Sequence, residues 1–311
     1  MTVADGFDLK TLFFSATEKD LLRYSFIGDR VILSVFIILF SLIGLVGNGN
    51  LIRLLSFHIQ RKPLAIYILN LAVADFGSLA FLLPVDLCFN PPSFGDYLEC
   101  PAGLGSLLIS LFLSTYSSCP LLLTAISIDR WVSVFFPNWY RRHRSPALST
   151  TVCAFAWALS FALVGVPSFL LLMDLLPDDY ETILLLGHIL TNLICVLLVI
   201  ISTLTLLIKV CLKSPRCRCG NLLKAILLVL LSFLLFVILM YVSFFMFADD
   251  IAIYVGLWTS LKSSINPLIY FLAGRQNGGT FQERMKAILQ RVFKEERDTR
   301  MERQPHAQTM L

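Results

Sequence analysis

The sequence predicts an all-α membrane protein: a seven-transmembrane helix bundle with a short amphipathic cytosolic helix after the seventh span. Three observations carry that reading. The chain is 57% hydrophobic and only 15% charged, with a mean hydropathy of +0.78, whereas an ordinary soluble domain carries about 25% charged residues. Seven apolar stretches run through it, each long enough for a bilayer core that takes roughly 20 residues per helix. The last stretch closes on NPLIY, Asn266 to Tyr270, where proline removes a backbone donor and asparagine brings an amide into hydrocarbon. Membrane helices tolerate both only where neighbouring helices or waters satisfy the freed groups, so this span should face a polar bundle interior.

In chain order the spans are expected at about 30–55, 64–89, 102–135, 148–173, 182–212, 220–247 and 251–273. Residues 1–28 are polar and lack the apolar core of a cleavable signal, so the first span is expected to direct insertion itself. The chain thus divides into an extracellular segment 1–29, the bundle 30–273 and a cytosolic helix and tail 274–311. Loops are short, and no inverted internal repeat of the transporter kind is visible.

Charge sets the orientation. Arg61, Lys62, Arg141, Arg142, Arg144, Lys213, Arg216, Arg218 and the run from Arg275 to Arg303 occupy one set of connections. The other set has no Lys or Arg but carries Asp96, Glu99, Asp174, Asp178, Asp179, Glu181, Asp249 and Asp250. The positive-inside rule places the basic set and the C-terminus in the cytosol and the N-terminus outside, as in a plasma-membrane protein. The net charge of +4 is accordingly topological and gives no reason to expect nucleic acid as a partner.

Of the cysteines, Cys119, Cys153 and Cys195 fall inside spans, where a thiol acts as a small hydrophobe. Cys88 and Cys100 lie near the outer face, where a disulfide is permitted. Cys211, Cys217 and Cys219 border a cytosolic loop; Cys-x-Cys alone is a poor zinc set, and acylation suits a juxtamembrane thiol better. No cofactor or metal is called for. Outer segments carry no Asn-x-Ser/Thr sequon.

Polar residues within the spans form two groups. A deep one contains Asn48, Asp75, Asp129, Arg130, Asn266 and Tyr270. An outer one contains Asp86, His188 and the aromatics Phe112, Tyr116, Tyr241, Phe244, Phe245, Tyr254 and Trp258; the candidate ligand contacts are Asp86, Phe112, Tyr116, Asp174, Tyr241, Phe244, Tyr254 and Trp258. Phe112 and Tyr116 are four residues apart and share a helix face. Hydrocarbon penalises buried charge, so the acidic and basic members mark function more firmly than the aromatics do.

The deep group, in this order and spacing, resembles the rhodopsin-like G-protein-coupled receptors along nearly the whole chain. GNGN at 47–50, NLAVAD at 70–75, SIDRW at 127–131, Trp157 and NPLIY at 266–270 look like that family's motifs for spans one to four and seven. The runs 57–75, 122–144 and 152–160 resemble the Mas-related receptors, as does the absence of a third-span cysteine near Gly105. The sixth span departs from the family, having neither proline nor tryptophan, and the fifth has no proline. Proline-free helices run straighter, so any swing of the sixth span is expected to be a rigid tilt.

The resemblance implies a receptor and not an enzyme. An extracellular ligand, expected to be a cationic peptide or amine, would shift the helix arrangement and activate a heterotrimeric G protein. Arg130, paired with Asp129, is the residue expected to act at the G-protein face, with Asn266, Pro267 and Tyr270 completing the switch. The chain has no HExxH and no GxSxG. A seven-helix transporter or channel is the alternative, since it too would use Asp75, Asp86 and Lys262. Beyond the seventh span, Phe281, Met285, Ile288, Leu289, Val292 and Phe293 form an apolar helical stripe flanked by Arg284, Lys286, Arg291 and Lys294. That helix is expected to lie on anionic lipid of the inner leaflet.

Lys262 stands one turn before Asn266 on the same face. In rhodopsin-like receptors that face looks toward the second-span aspartate, here Asp75, where a sodium ion often sits. The run KSSINP at 262–267 therefore predicts an internal polar pocket of Asn48, Asp75, Lys262 and Asn266, in which the ammonium replaces the ion.

Overall fold

A computed structural model describes residues 9–58, 63–89, 101–143, 145–177, 179–212, 221–246 and 251–273. Cys100, Cys217, Cys219, the side chains of His188 and Cys211, and the expected helix over 281–293 lie outside the described residues. All of the regular structure described is helical: α1 Leu9–His58, α2 Pro63–Phe89, α3 Ala102–Phe135, α4 Pro137–His143, α5 Pro146–Ser160, α6 Val166–Leu172, α7 Asp179–Leu212, α8 Asn221–Met246 and α9 Ile251–Ala273. A π-helical turn, Phe161–Gly165, joins α5 to α6, and the three together make the fourth span.

Local chemistry accounts for the breaks. Ser145 caps α5 by accepting from the Leu148 amide, and Pro146 follows at the first helical position, where its missing N–H costs nothing. Pro167 opens α6, so it cannot continue an ordinary i→i−4 ladder, and Val166 N–H instead donates to Phe161 O, one residue further back. Two features depart from expectation. The first helix reaches back to Leu9 through residues expected to form only a polar outer segment, because 9–27 contain neither glycine nor proline. A short helix, α4, occupies a connection expected to be a plain loop.

The helices form a closed ring. α1 packs on α2 and α9, α2 on α3, α3 on α7, and α8 on α9, with α5 set against α2 and α3. Apolar packing divides into two levels. One cluster joins Leu51, Leu54, Leu64, Ile68, Leu71, Leu122, Ile126, Val229, Leu230 and Tyr270. A smaller one joins Ile37, Leu82, Phe112 and Ile253. Along α1, α2, α3 and α9 the residues between these levels include Asn48, Asp75, Cys119, Lys262, Ser263 and Asn266, a polar layer across the bundle.

Among the described residues six helical segments are apolar enough, by length and composition, to cross a membrane; α9 is not among them. It spends its middle on Thr259, Ser260, Lys262, Ser263, Ser264 and Asn266, all buried, while its 23 residues are long enough to span.

Helices in lipid associate through close packing rather than a hydrophobic drive, which favours small residues at their seams. Gly44 is such a seam. A Cβ there would stand 2.5 Å from Leu79 Cδ1, 2.7 Å from Ser264 Oγ and 3.3 Å from Ser264 Cα. The last is backbone and cannot swing aside. Gly44→Val is therefore expected to push α1 off α9 and destabilise the bundle by about 1–3 kcal/mol, the usual cost of overpacking. Thermal unfolding of the purified protein in detergent would show it as a lowered midpoint.

Candidate functional site

The centre of the bundle is organised by one carboxylate. Asp75 on α2 is fully buried, and four donors from α3 and α9 converge on it. Lys262 Nζ stands 3.1 Å from Oδ1, Ser263 Oγ donates to the same oxygen at 2.8 Å, Asn266 Nδ2 to Oδ2 at 2.6 Å, and Cys119 Sγ to Oδ1 at 3.4 Å. The side chains at 262, 263 and 266 all reach one carboxylate because positions three and four apart share a helical face. Cys119, read in the sequence as a small hydrophobe, is instead a ligand of the charge. Asn48 belongs to the layer without touching Asp75: its Nδ2 donates to Gly44 O and to Ser263 O, each at 2.9 Å.

Burying an unpaired ion is prohibitive, and burying a paired one is tolerable when hydrogen bonds satisfy what the pairing leaves over. Asp75 meets that condition. Its counter-charge is covalently part of α9, so the link between α2 and α9 does not depend on a diffusible ion.

On the Asp86 side of this layer lies a small cavity of about 40 Å³, lined by Tyr116, Pro120, Asn192, Val196, Phe233, Phe236, Val237, Met240, Tyr241, Trp258, Thr259 and Lys262. The lysine is thus at once the partner of Asp75 and part of the cavity wall. Tyr116 O–H donates to Met240 Sδ at 3.0 Å, and Trp258 Nε1–H to Ser243 Oγ at 2.8 Å, while its indole lies 6.3 Å from the Phe236 ring.

The expected ligand contacts do not form one set. Tyr116, Tyr241 and Trp258 line the cavity. Phe112 and Tyr254 belong to the other apolar cluster, with Ile37 and Leu82, and only the stacking of Phe112 on Tyr116, at 5.9 Å between centroids, connects the two. Asp86 is buried and accepts from Ser34 Oγ at 3.1 Å, away from the cavity wall. Asp174 is exposed, with φ of 56°, in the turn after α6. Phe244 is 53% exposed and stacks edge-on with Phe245. The inward stripe of α8 runs through Phe233, Phe236 and Ser243, and Phe244 does not line this cavity.

At the opposite end of α3, Arg130 Nη2 lies 2.6 Å from Asp129 Oδ2, with Nε at 3.1 Å from the same oxygen. Tyr140, from α4, completes the group. Its hydroxyl accepts from Arg130 Nη2 at 2.7 Å and donates to Asp129 Oδ2 at 3.1 Å. Arg130 is buried despite its charge. Sequence reading missed Tyr140 because nothing in the spacing of a connecting segment tells which residue folds back. Tyr270 sits in the apolar cluster between this group and Asp75. Asn70 and the fourth-span tryptophan also meet, Trp157 Nε1–H donating to Asn70 Oδ1 at 3.1 Å.

Among the described residues, no three His, Cys, Asp or Glu side chains gather as a metal site would require. The donors gathered on Asp75 and Asp129 hold charge in place, a chemistry of binding and charge pairing.

The profile of the 7 transmembrane receptor (rhodopsin family) matches residues 47–270. The chain is 31% identical over 276 residues to Proto-oncogene Mas of Mus musculus, covering 84% of this chain and 83% of that protein. It is 33% identical over 273 residues to Mas-related G-protein coupled receptor member F of Mus musculus, covering 83% and 77% respectively. With member D of Rattus norvegicus it shares 32% identity over 281 residues, covering 83% and 84%.

Proposed function

The chain belongs to the rhodopsin family of seven-transmembrane receptors, within its Mas-related group, and on that footing we propose that it carries an extracellular signal to a heterotrimeric G protein. It is a multi-pass membrane receptor and not an enzyme. In this reading it resides in the plasma membrane with its N-terminus outside. A ligand entering at the Asp86 end stabilises one helix arrangement over another. Arg130 is then released from Asp129 and Tyr140 and presents its guanidinium to carbonyls of the G protein. Asn266, Pro267 and Tyr270 carry the change from the Asp75 layer to that end.

The observation that supports this most is the paired state of Arg130. A buried guanidinium tied to a carboxylate and a hydroxyl is a latch whose opening exposes a strong donor. The ligand is expected to be cationic, or to have a cationic end. Asp86, about 16 Å above Asp75 along α2, and Asp174, in the turn after α6, stand in a region whose connections have no Lys or Arg, and such a field raises the on-rate of cations.

The decisive measurement is ligand-dependent nucleotide exchange on purified heterotrimers, after a screen of cationic peptides and amines in cells read by calcium and cyclic AMP. Exchange lost in Arg130→Ala supports the reading. Substrate uptake or a voltage-clamp current without exchange would replace it with transport. A potent neutral or anionic agonist unaffected by Asp86→Ala would overturn the ligand class alone.

A further inference from the structure

The wall of the cavity contains a feature that the pairing of Asp75 does not use up. A lysine ammonium has three N–H donors. Among the described residues the one oxygen acceptor of Lys262 is Asp75 Oδ1. One turn earlier on the same face, Thr259 is 2% exposed, and its hydroxyl has no hydrogen-bond partner among the described residues. Both side chains line the same cavity. A buried hydroxyl left unpartnered is destabilising, so two donors beside one cavity call for an acceptor there.

The rest of the wall narrows the choice. Pro120, Val196, Phe233, Phe236, Val237 and Met240 are apolar. The polar hydrogens of Tyr116 and Trp258 are already committed, to Met240 and Ser243. No Asp or Glu lines the space, and Asp75 lies behind the ammonium. An anion would therefore meet one positive charge, the unpartnered Thr259 hydroxyl, the polar side chains of Asn192 and Tyr241, and otherwise low-dielectric walls, which strengthen the attraction. The volume of about 40 Å³ has room for roughly three waters, or for one terminal group of a larger molecule.

We infer that this cavity is a carboxylate-binding subsite, in which the Lys262 ammonium and the Thr259 hydroxyl take the anionic end of the extracellular ligand. A carboxylate has two oxygens and about four lone-pair positions, enough for both donors at once. The inference rests on the receptor reading above and deepens it. With cations favoured at the Asp86 end, the matching ligand class is a basic peptide that enters with a free C-terminal carboxylate first. The subsite also supplies a route to the switch. A carboxylate that shares the ammonium weakens the Lys262–Asp75 pair, leaving Asp75 to lean on Ser263, Asn266 and Cys119, and Asn266 is the first residue of the NPLIY run.

The test uses the full-length receptor purified in nanodiscs, with sodium propionate as probe and propionamide as its neutral isostere, at constant ionic strength. Propionate is expected to raise the thermal unfolding midpoint in a saturable manner, and propionamide to leave it unchanged. Thr259→Val removes the hydroxyl without touching the Asp75 pair and is expected to weaken propionate about tenfold. Asp75→Asn combined with Lys262→Met substitutes a neutral pair and should abolish the response in a protein that still unfolds cooperatively. Equal effects of propionate and propionamide, no effect of either, or a propionate response that survives both variants would overturn the subsite. Because no G protein enters this measurement, its failure is separate from failure of the receptor reading. A receptor that binds propionate yet drives no nucleotide exchange with any screened peptide would sink the receptor reading and leave the subsite standing.

Discussion

Lys262→Met is expected to destabilise the folded receptor by about 3–5 kcal/mol, while the same change combined with Asp75→Asn costs far less. The reason is the asymmetry of buried ion pairs. Making one gains little, because desolvation offsets the attraction, but removing one partner strands the other charge. Asp75 is fully buried, and without the ammonium it would retain only the neutral donors Ser263, Asn266 and Cys119. Thermal or denaturant unfolding of the two single variants and the double variant gives the coupling directly. The same geometry bears on sodium. Lys262 Nζ, 3.1 Å from Oδ1, takes the position a monovalent cation would need, so the unfolding midpoint of the unmutated protein should not change when sodium chloride replaces choline chloride. Lys262→Asn removes the fixed charge, leaves carboxamide and carboxylate oxygens, and is expected to make the midpoint rise with sodium. A clear sodium effect on the unmutated protein, or single and double variants of equal stability, would refute the account.

Tyr140→Phe is expected to raise ligand-free nucleotide exchange about tenfold. The substitution keeps the ring, whose centroid lies 6.0 Å from Arg130 Cζ, and deletes only the hydroxyl. That hydroxyl makes two hydrogen bonds to charged groups, at 2.7 Å from Arg130 and 3.1 Å to Asp129. Such a bond contributes roughly 1.5–3 kcal/mol. Losing it shifts a two-state balance by a comparable factor only if the bonds exist in one state alone. The Asp129–Arg130 contact at 2.6 Å remains, so the latch is loosened rather than removed. Exchange measured on purified heterotrimers should place Tyr140→Phe between the unmutated protein and Asp129→Asn. Unchanged or reduced basal exchange in Tyr140→Phe would show that the tyrosine does not restrain the arginine.

Much of this was readable from residues alone, for identifiable reasons. Spans end where apolar runs meet charge or proline, and the third and seventh were expected at 102–135 and 251–273, the bounds that α3 and α9 take. The pairing of Lys262 with Asp75 followed from helical spacing within one element and a known opposite face. What spacing cannot convey is the rotation of one helix against another. Tyr241 and Phe244 lie three residues apart, yet one lines the cavity and the other is mostly exposed. Phe112 and Tyr254 likewise joined a separate cluster with Ile37. The π-helical turn was invisible too, since it depends on Pro167 together with Ser160 Oγ donating across to Ser114 O at 2.5 Å. Cys119 was misjudged because a thiol's role depends on what stands opposite it. Short connecting helices such as α4 have no apolar periodicity to reveal them.

The low apolarity of α9 has a consequence for biogenesis. An insertion machinery that partitions each nascent helix by its own hydrophobicity charges about 2.5–3.5 kcal/mol for a lysine at mid-span. Six other described segments are apolar enough to cross a membrane, whereas the middle of α9 sets that lysine among Thr259, Ser260, Ser263, Ser264 and Asn266. Its entry must therefore draw on contacts already in place: Asp75 for the ammonium, the Ser264 bond to Phe40 O on α1 at 2.6 Å, and the glycine seam beside it. The seventh span is then admitted only by a correctly assembled α1–α2 pair, so a fault in the early helices surfaces as failed integration of the seventh span, before any ligand is met.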